Sequence, residues 1–289
     1  MINMTISLAL LAAVFAALTS ILAKIGITNV DSNLGTAVRT IVVLIMAAIV
    51  VLITDTWHMV TSISIKSWTF IILSGLTTGL SWLCFFKAIQ LGDVSKVVPI
   101  DKSSIVLTII LSFIILGEPA APMVIIGGLL ISIGTFILIG RTKKKKNVNL
   151  KQSYIFLALM SAVFAALTSI LAKIGIENVD SNLATFIRTI VILVFAWGIV
   201  FWQGTTHEIR KITRKSFLFL ILSGIATGLS WLCYFGAISL GRVSIVAPID
   251  KFSTVLTMIL GVIVLKEKLS KNTIIGGLVI TAGTICLIL

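Results

Sequence analysis

"AVFAALTSILAKIGITNVDSNL" (13–34) returns as "AVFAALTSILAKIGIENVDSNL" (162–183) with one change, Thr28 against Glu177. A match of this length is an internal duplication, and it divides the fold into copies before any other reading begins. The offset of 149 residues holds without gaps to the end of the chain. "GLSWLCFFKAIQLG" (79–92) answers "GLSWLCYFGAISLG" (228–241), and "IIGGLLISIGT" (125–135) answers "IIGGLVITAGT" (274–284). Between the copies lies "RTKKKKNVNLKQS" (141–153), the only long polar stretch. The units are therefore 1–140 and 154–289, joined by a basic linker at 141–153.

Each copy is made of apolar runs. Of the 289 residues, 58% are hydrophobic and 11% charged, where a soluble domain carries about 25% charged residues. Mean hydropathy is +1.18. A helix crosses the bilayer with about 20 apolar residues. Ten segments qualify: 5–25, 33–53, 68–89, 94–116, 123–140, 154–174, 182–202, 217–238, 243–265 and 273–289. Short alternating segments, which would mark a β-barrel, are absent. The fold class is an all-α polytopic membrane protein, ten transmembrane helices in two five-helix repeats. The first segment lacks a basic n-region and its counterpart lies mid-chain, so it reads as a mature helix.

Five is odd, so the two copies cross the membrane in opposite senses. The basic residues test this. Three repeated pairs lie within or at the ends of helices: Lys24/Lys173, Arg39/Arg188 and Lys102/Lys251. Of 23 Lys and Arg, 17 remain when these are set aside. With the linker in the cytoplasm, 15 of the 17 fall on that side, and only Lys66 and Arg242 fall outside. This is the positive-inside pattern, and it predicts both termini outside. The loops agree. Lys87 and Lys96 become Gly236 and Ile245, whereas "GEPAAP" (117–122) becomes "KEKLSK" (266–271). The formal charge of +13 thus belongs to loops, and no nucleic-acid partner is implied.

Ionisable residues inside the membrane usually face a cavity or a partner. "VVPIDKSSIVL" (97–107) and "VAPIDKFSTVL" (246–256) each place an acid and a base side by side. Neighbours on a helix point about 100° apart, so Asp101 and Lys102 do not pair with each other. Asp101 lines up with Ser104 and Thr108 at i, i+3, i+7, and Asp250 with Ser253 and Thr257. This stripe is expected to face the cavity. Asp101 then takes a cation from another helix, Arg39 or Lys24, as a fixed pair that sets register or as a gate that breaks and re-forms, or else it contacts the substrate directly. Pro99 and Pro248 predict a kink or a broken first turn. Gly75/Gly79 and Gly224/Gly228 form GxxxG patterns for close packing. Thr78, Ser81 and Phe85 share another face, mirrored by Thr227, Ser230 and Tyr234, with Trp82 and Trp231 beside them as core or as an aromatic wall. "DSN" (31–33 and 180–182) suits N-capping. Cys84, Cys233 and Cys286 read as small core residues.

The segments "A-I-x-L-G-x-V-S-x-V-x-P-I-D-K-x-S-x-V-L-T" (88–108 and 237–257), followed by Glu118 or Glu267 and then "GG", resemble the EamA family of the drug/metabolite transporter superfamily. The likeness covers nearly the whole chain, which looks like two five-helix EamA units fused. It implies an exporter or permease of amino acids, other metabolites or drug-like molecules. It also implies a central cavity lined by helices 1 to 4 and 6 to 9, with helices 5 and 10 as scaffold. Small multidrug-resistance relatives carry a membrane-embedded Glu in their first helix, and no acid stands in helix 1 or 6 here.

The expectation is a cell-membrane transporter working by alternating access, not an enzyme, with no cofactor and no metal. Lys24, Arg39, Asp101 and Lys102 sum to +2 in each half, which favours substrates bearing a carboxylate. The expected cavity or gating residues are Lys24, Arg39, Trp82, Asp101, Lys102 and Ser104, with Lys173, Arg188, Trp231, Asp250, Lys251 and Ser253 in the second copy. The expected partners are a small-molecule substrate and the lipid bilayer, with a homodimer left open. The competing reading is a membrane scaffold that transports nothing.

Overall fold

The computed structural model describes residues 2–119, 121–139, 148–250, 252–266 and 271–288. The first repeat runs α1 (Ile2–Gly26), α2 (Ser32–Ile53), α3 (Ile65–Leu91), α4 (Val94–Lys102), α5 (Ser104–Ile115) and α6 (Pro122–Ile139). The second runs α7 (Val148–Gly175), α8 (Ser181–Trp202), α9 (Arg214–Leu240), α10 (Val243–Asp250), α11 (Ser253–Leu265) and α12 (Lys271–Ile288). No strand occurs among the described residues. Seven spans are long and apolar enough to cross a membrane by themselves, and Ser104–Ile115, Pro122–Ile137 and Ile274–Cys286 are shorter apolar helices. With α4 and α5 taken as one broken span, ten crossings result. Residues 141–147 of the expected linker lie outside the described residues, and α7 already begins at Val148.

The expected single helices at 94–116 and 243–265 are each two helices. Pro99 and Pro248 stay inside α4 and α10, and the interruption falls later, at Ser103 and before Ser253. Ser103 N–H donates to Ile100 O at 3.1 Å, a three-residue step that tightens the turn, and its hydroxyl donates to the same carbonyl at 2.6 Å. Phe252 has no hydroxyl, yet its N–H makes the same step to Ile249 O at 3.0 Å. The backbone, not the serine, therefore makes the break.

Polar loop chemistry starts the helices where expected. Asp31 accepts from the N–H of Asn33 and Leu34, and Asp180 from Asn182 and Leu183, so both "DSN" motifs cap their helices. Packing then crosses between repeats. α1 lies along α9, α3 along α7, α2 along α8, and α6 along α12. The last pair sits to one side, and glycine lets it close. A Cβ on Gly134 would stand 2.7 Å from Gly276 O, and one on Gly283 would stand 2.8 Å from Gly127 O. Loop contacts fit inverted copies. Lys66 meets Glu177 at 3.2 Å, Asn33 donates to Gln203 at 2.8 Å, and Glu118 accepts from the N–H of Val243 and Ser244 at the start of α10. Each contact joins two loops that the inverted reading puts on one face.

Candidate functional site

Two arginines define the centre of the bundle. Arg39 on α2 and Arg188 on α8 are 0% and 1% exposed. Each is approached by a glycine of the other repeat. A Cβ on Gly75 would lie 3.1 Å from Arg188 O, and one on Gly224 would lie 3.1 Å from Arg39 O. That close approach brings the next turn of α3 and α9 against the guanidinium groups. Arg188 Nη2 donates to Thr78 Oγ1 at 2.9 Å, and Arg39 Nη2 donates to Thr227 Oγ1 at 2.7 Å. Thr227 Oγ1 also lies 3.2 Å from Thr19 Oγ1, and Thr78 donates to Thr168 Oγ1 at 3.3 Å. The GxxxG motifs thus position charge as well as backbone.

Aromatic faces cover the guanidinium planes. Arg39 Cζ stands 4.0 Å from the Phe86 centroid and 5.6 Å from Trp82. Arg188 Cζ stands 3.9 Å from Phe235 and 5.3 Å from Trp231. Away from water each such contact stabilises the cation by about 2 kcal/mol. Trp82 and Trp231 meet with centroids 4.6 Å apart, so the axis relating the repeats passes between them. Yet Nε and Nη1 of both arginines are buried without a hydrogen-bond partner among the described residues. Buried donors left unpaired are rare, because each costs about 1–3 kcal/mol.

The arginines, the tryptophans and both aspartates line one cavity of about 170 Å³. Its twenty wall residues are ten pairs at the repeat offset, and nine pairs are identical; Phe85 against Tyr234 is the exception. Asp101 and Asp250 enter from the ends of α4 and α10, beside the helix breaks. Ser161 Oγ donates to Asp101 Oδ1 at 2.6 Å. Its counterpart is Ala12, which has no hydroxyl, although the backbone contact is kept in both copies: Ser81 Oγ donates to Ser161 O at 3.1 Å and Ser230 Oγ to Ala12 O at 2.9 Å. With two arginines and two aspartates, the wall is formally neutral.

Several expected site residues go elsewhere. Asp101 does not pair with Arg39: the arginine reaches across to Thr227, and the described partner of Asp101 is Ser161. Lys24 Nζ donates to Ile89 O and Gly92 O, and Lys173 Nζ to Ile238 O and Gly241 O. The two lysines therefore close the C-termini of α3 and α9, where a cation suits the helix dipole. They do not line the cavity, so the +2 sum does not describe its wall. Ser104 and Ser253 are buried behind the wall rather than in it, because the break turns α5 and α11 relative to the aspartates. The Lys102 side chain and all of Lys251 lie outside the described residues. Sequence reasoning missed Phe86 and Phe235 as arginine platforms, and Thr19 and Thr168 beside them. Their one signal was identity between copies, which nearly every apolar position also shows.

A multi-pass helical bundle with a polar cavity between two inverted repeats is the architecture of a membrane transporter. The chain belongs to the EamA-like transporter family, whose model matches residues 3–140 and again 152–289. A Sinorhizobium sp protein described as "Uncharacterized transporter in cobO 3'region" is 46% identical over 138 residues, 48% of this chain and 98% of that protein. It has the length of one repeat. An Archaeoglobus fulgidus protein described as "Uncharacterized transporter" is 24% identical over 207 residues, 72% of this chain and 70% of that one. A solved structure described as "Crystal structure of protein" superposes with a TM-score of 0.72 at 17% identity, covering 97% of both chains. That likeness is one of fold.

Proposed function

We propose that this transporter moves small carboxylate-bearing metabolites of the amino-acid type across the cell membrane, by alternating access of the central cavity. One observation carries the reading. Two guanidinium groups on the wall keep Nε and Nη1 unpaired while Nη2 is tied to the opposite repeat. The forks that receive a carboxylate pair Nη2 with either Nε or Nη1. Each Nη2 keeps a second N–H beside the one given to threonine, so each arginine can present one such fork. A formally neutral wall suits a ligand that is itself net neutral, with its carboxylate on an arginine and its ammonium toward an aspartate. In this reading the Arg39–Thr227 and Arg188–Thr78 bonds tie the halves together, and carboxylate binding competes with them. The pseudo-twofold then lets either half open. The basic loops support an orientation with the linker in the cytoplasm and both termini outside.

The test is counterflow in proteoliposomes with L-threonine and with 1-aminopropan-2-ol, the same molecule without its carboxylate. Threonine is expected to exchange and the amine is not. R39Q/R188Q is expected to lower threonine exchange by about 100-fold, the scale of two charge-assisted hydrogen bonds. Equal handling of both compounds, or a folded R39Q/R188Q variant with unchanged exchange, overturns the reading.

A further inference from the structure

A wall with perfect twofold symmetry holds an asymmetric ligand in two equivalent poses, one the reverse of the other. Among the residues of the wall itself one pair departs from symmetry, while Ser161 against Ala12 differs just outside it, beside Asp101. Where the first repeat has Phe85, the second has Tyr234, on helices otherwise packed alike. The Tyr234 hydroxyl lies 3.0 Å from Ser169 Oγ. Both serines donate to their own helix, Ser20 to Ala16 O at 3.2 Å and Ser169 to Ala165 O at 3.3 Å, and Ser20 has Phe85 where Ser169 has Tyr234. A phenol hydroxyl offers one donor and an acceptor, so one contact with Ser169 leaves capacity for another. Tyr234 is half-buried and forms part of the cavity surface.

We infer that Tyr234 is the specificity-determining residue of this cavity. Its hydroxyl recognises a hydrogen-bonding group on the substrate, and so fixes which way round the substrate lies between two otherwise equivalent arginines. The substrate class is then a carboxylate compound with a second polar group, such as a hydroxyl, on its side chain. A site built to bond a hydroxyl discriminates strongly against the isostere that lacks it, because the buried partner is left unpaired. The inference rests on the carboxylate reading above.

L-Threonine and L-valine make the test, since they match in shape and differ by a hydroxyl for a methyl. Half-saturation for each is measured on the full chain in proteoliposomes. The wild type is expected to prefer threonine by about tenfold, the scale of one net hydrogen bond. Y234F, whose wall is symmetric, is expected to fall to within about twofold. The exchange F85Y/Y234F is expected to regain the preference, because the new phenol faces Ser20. F85Y alone is expected to keep it, which serves if the exchange variant does not fold. Tyr234 loses this role if Y234F keeps the wild-type preference, or if a folded F85Y/Y234F or F85Y variant lacks it. A wild type that moves both amino acids without preference overturns the role of Tyr234 alone. A wild type that moves neither overturns the carboxylate reading and this inference together.

Discussion

The cavity wall and the loops record the same duplication in opposite ways. In the wall, nine of ten residue pairs are identical. At the helix ends and in the loops, Lys87 and Lys96 correspond to Gly236 and Ile245, and "GEPAAP" corresponds to "KEKLSK". Physical demand explains the split. The wall serves both halves of one site, so each arginine needs the same threonine and glycine from the other repeat and the same aromatic rings from its own. The loops meet different solutions at each face, and their charges bear on orientation instead. Symmetry is kept where the two repeats meet and given up where they meet water.

The strongest way to break this comparison is to fill the glycines that bring the repeats together. A Cβ on Gly75 would stand 2.9 Å from Val191 Cβ, and one on Gly224 would stand 2.8 Å from Val42 Cβ. Backbone and β-branched neighbours have little room to yield, and overpacking of this kind costs about 1–3 kcal/mol or more. Gly75→Leu and Gly224→Leu are each expected to abolish a monodisperse species in detergent, to equal degree. Gly198 has nothing within 4 Å of a Cβ, so Gly198→Leu is expected to leave the elution profile unchanged. If one interface glycine accepts leucine and the other does not, the repeats are not equivalent in packing.

A smaller effect tests the equivalence in the site. Thr78→Val and Thr227→Val each remove the hydroxyl that accepts from an arginine of the other repeat. A charged donor left unpaired costs about 1–3 kcal/mol. Because the substrate carboxylate no longer competes with that hydroxyl, threonine half-saturation is expected to fall about tenfold in each variant, and by the same factor within about twofold. A tenfold difference between the two means that one arginine alone receives the substrate.

Much of this was legible in the sequence, for a definite reason. Hydropathy over about 20 residues reports the bilayer itself, and a repeat of odd helix number forces inversion. The GxxxG motifs and the "DSN" caps act locally, so their spacing was enough. The partners of the embedded charges were not legible. Arg39 and Lys24 stood as candidate partners of Asp101 because all three are embedded charges of one repeat, with Arg39 and Asp101 each about two turns into its helix. The actual partners of Arg39 and Asp101, Thr227 and Ser161, both come from the other repeat. Helical periodicity says which residues share a face, but it does not say which face of which distant helix lies opposite. The break at Ser103 was hidden for a related reason. Hydropathy runs straight through it, and Pro99 pointed to the turn before rather than the turn after.

The smallest effect on the folded molecule, and the clearest on the loops, concerns orientation. If the loop charges alone set it, the wall does not sense their loss. Lys87→Gly with Lys96→Ile gives the first repeat the residues that the second carries at those places. Lys96 is paired with Asp93 within its own turn, an exposed contact of the kind that contributes about 0–1 kcal/mol. Lys87→Gly puts a glycine near the end of α3 and removes the bond to Gln90, so Tm is expected to fall slightly, by the scale of about 1 kcal/mol, while threonine half-saturation stays as in the wild type. Reporter fusions give the orientation directly. In the wild type both termini are expected outside, and in the variant a measurable fraction of chains is expected to invert, since fewer cations hold that face in the cytoplasm. Cytoplasmic termini in the wild type overturn the orientation, yet leave the cavity untouched, because a wall with nine identical pairs is nearly the same site seen from either side.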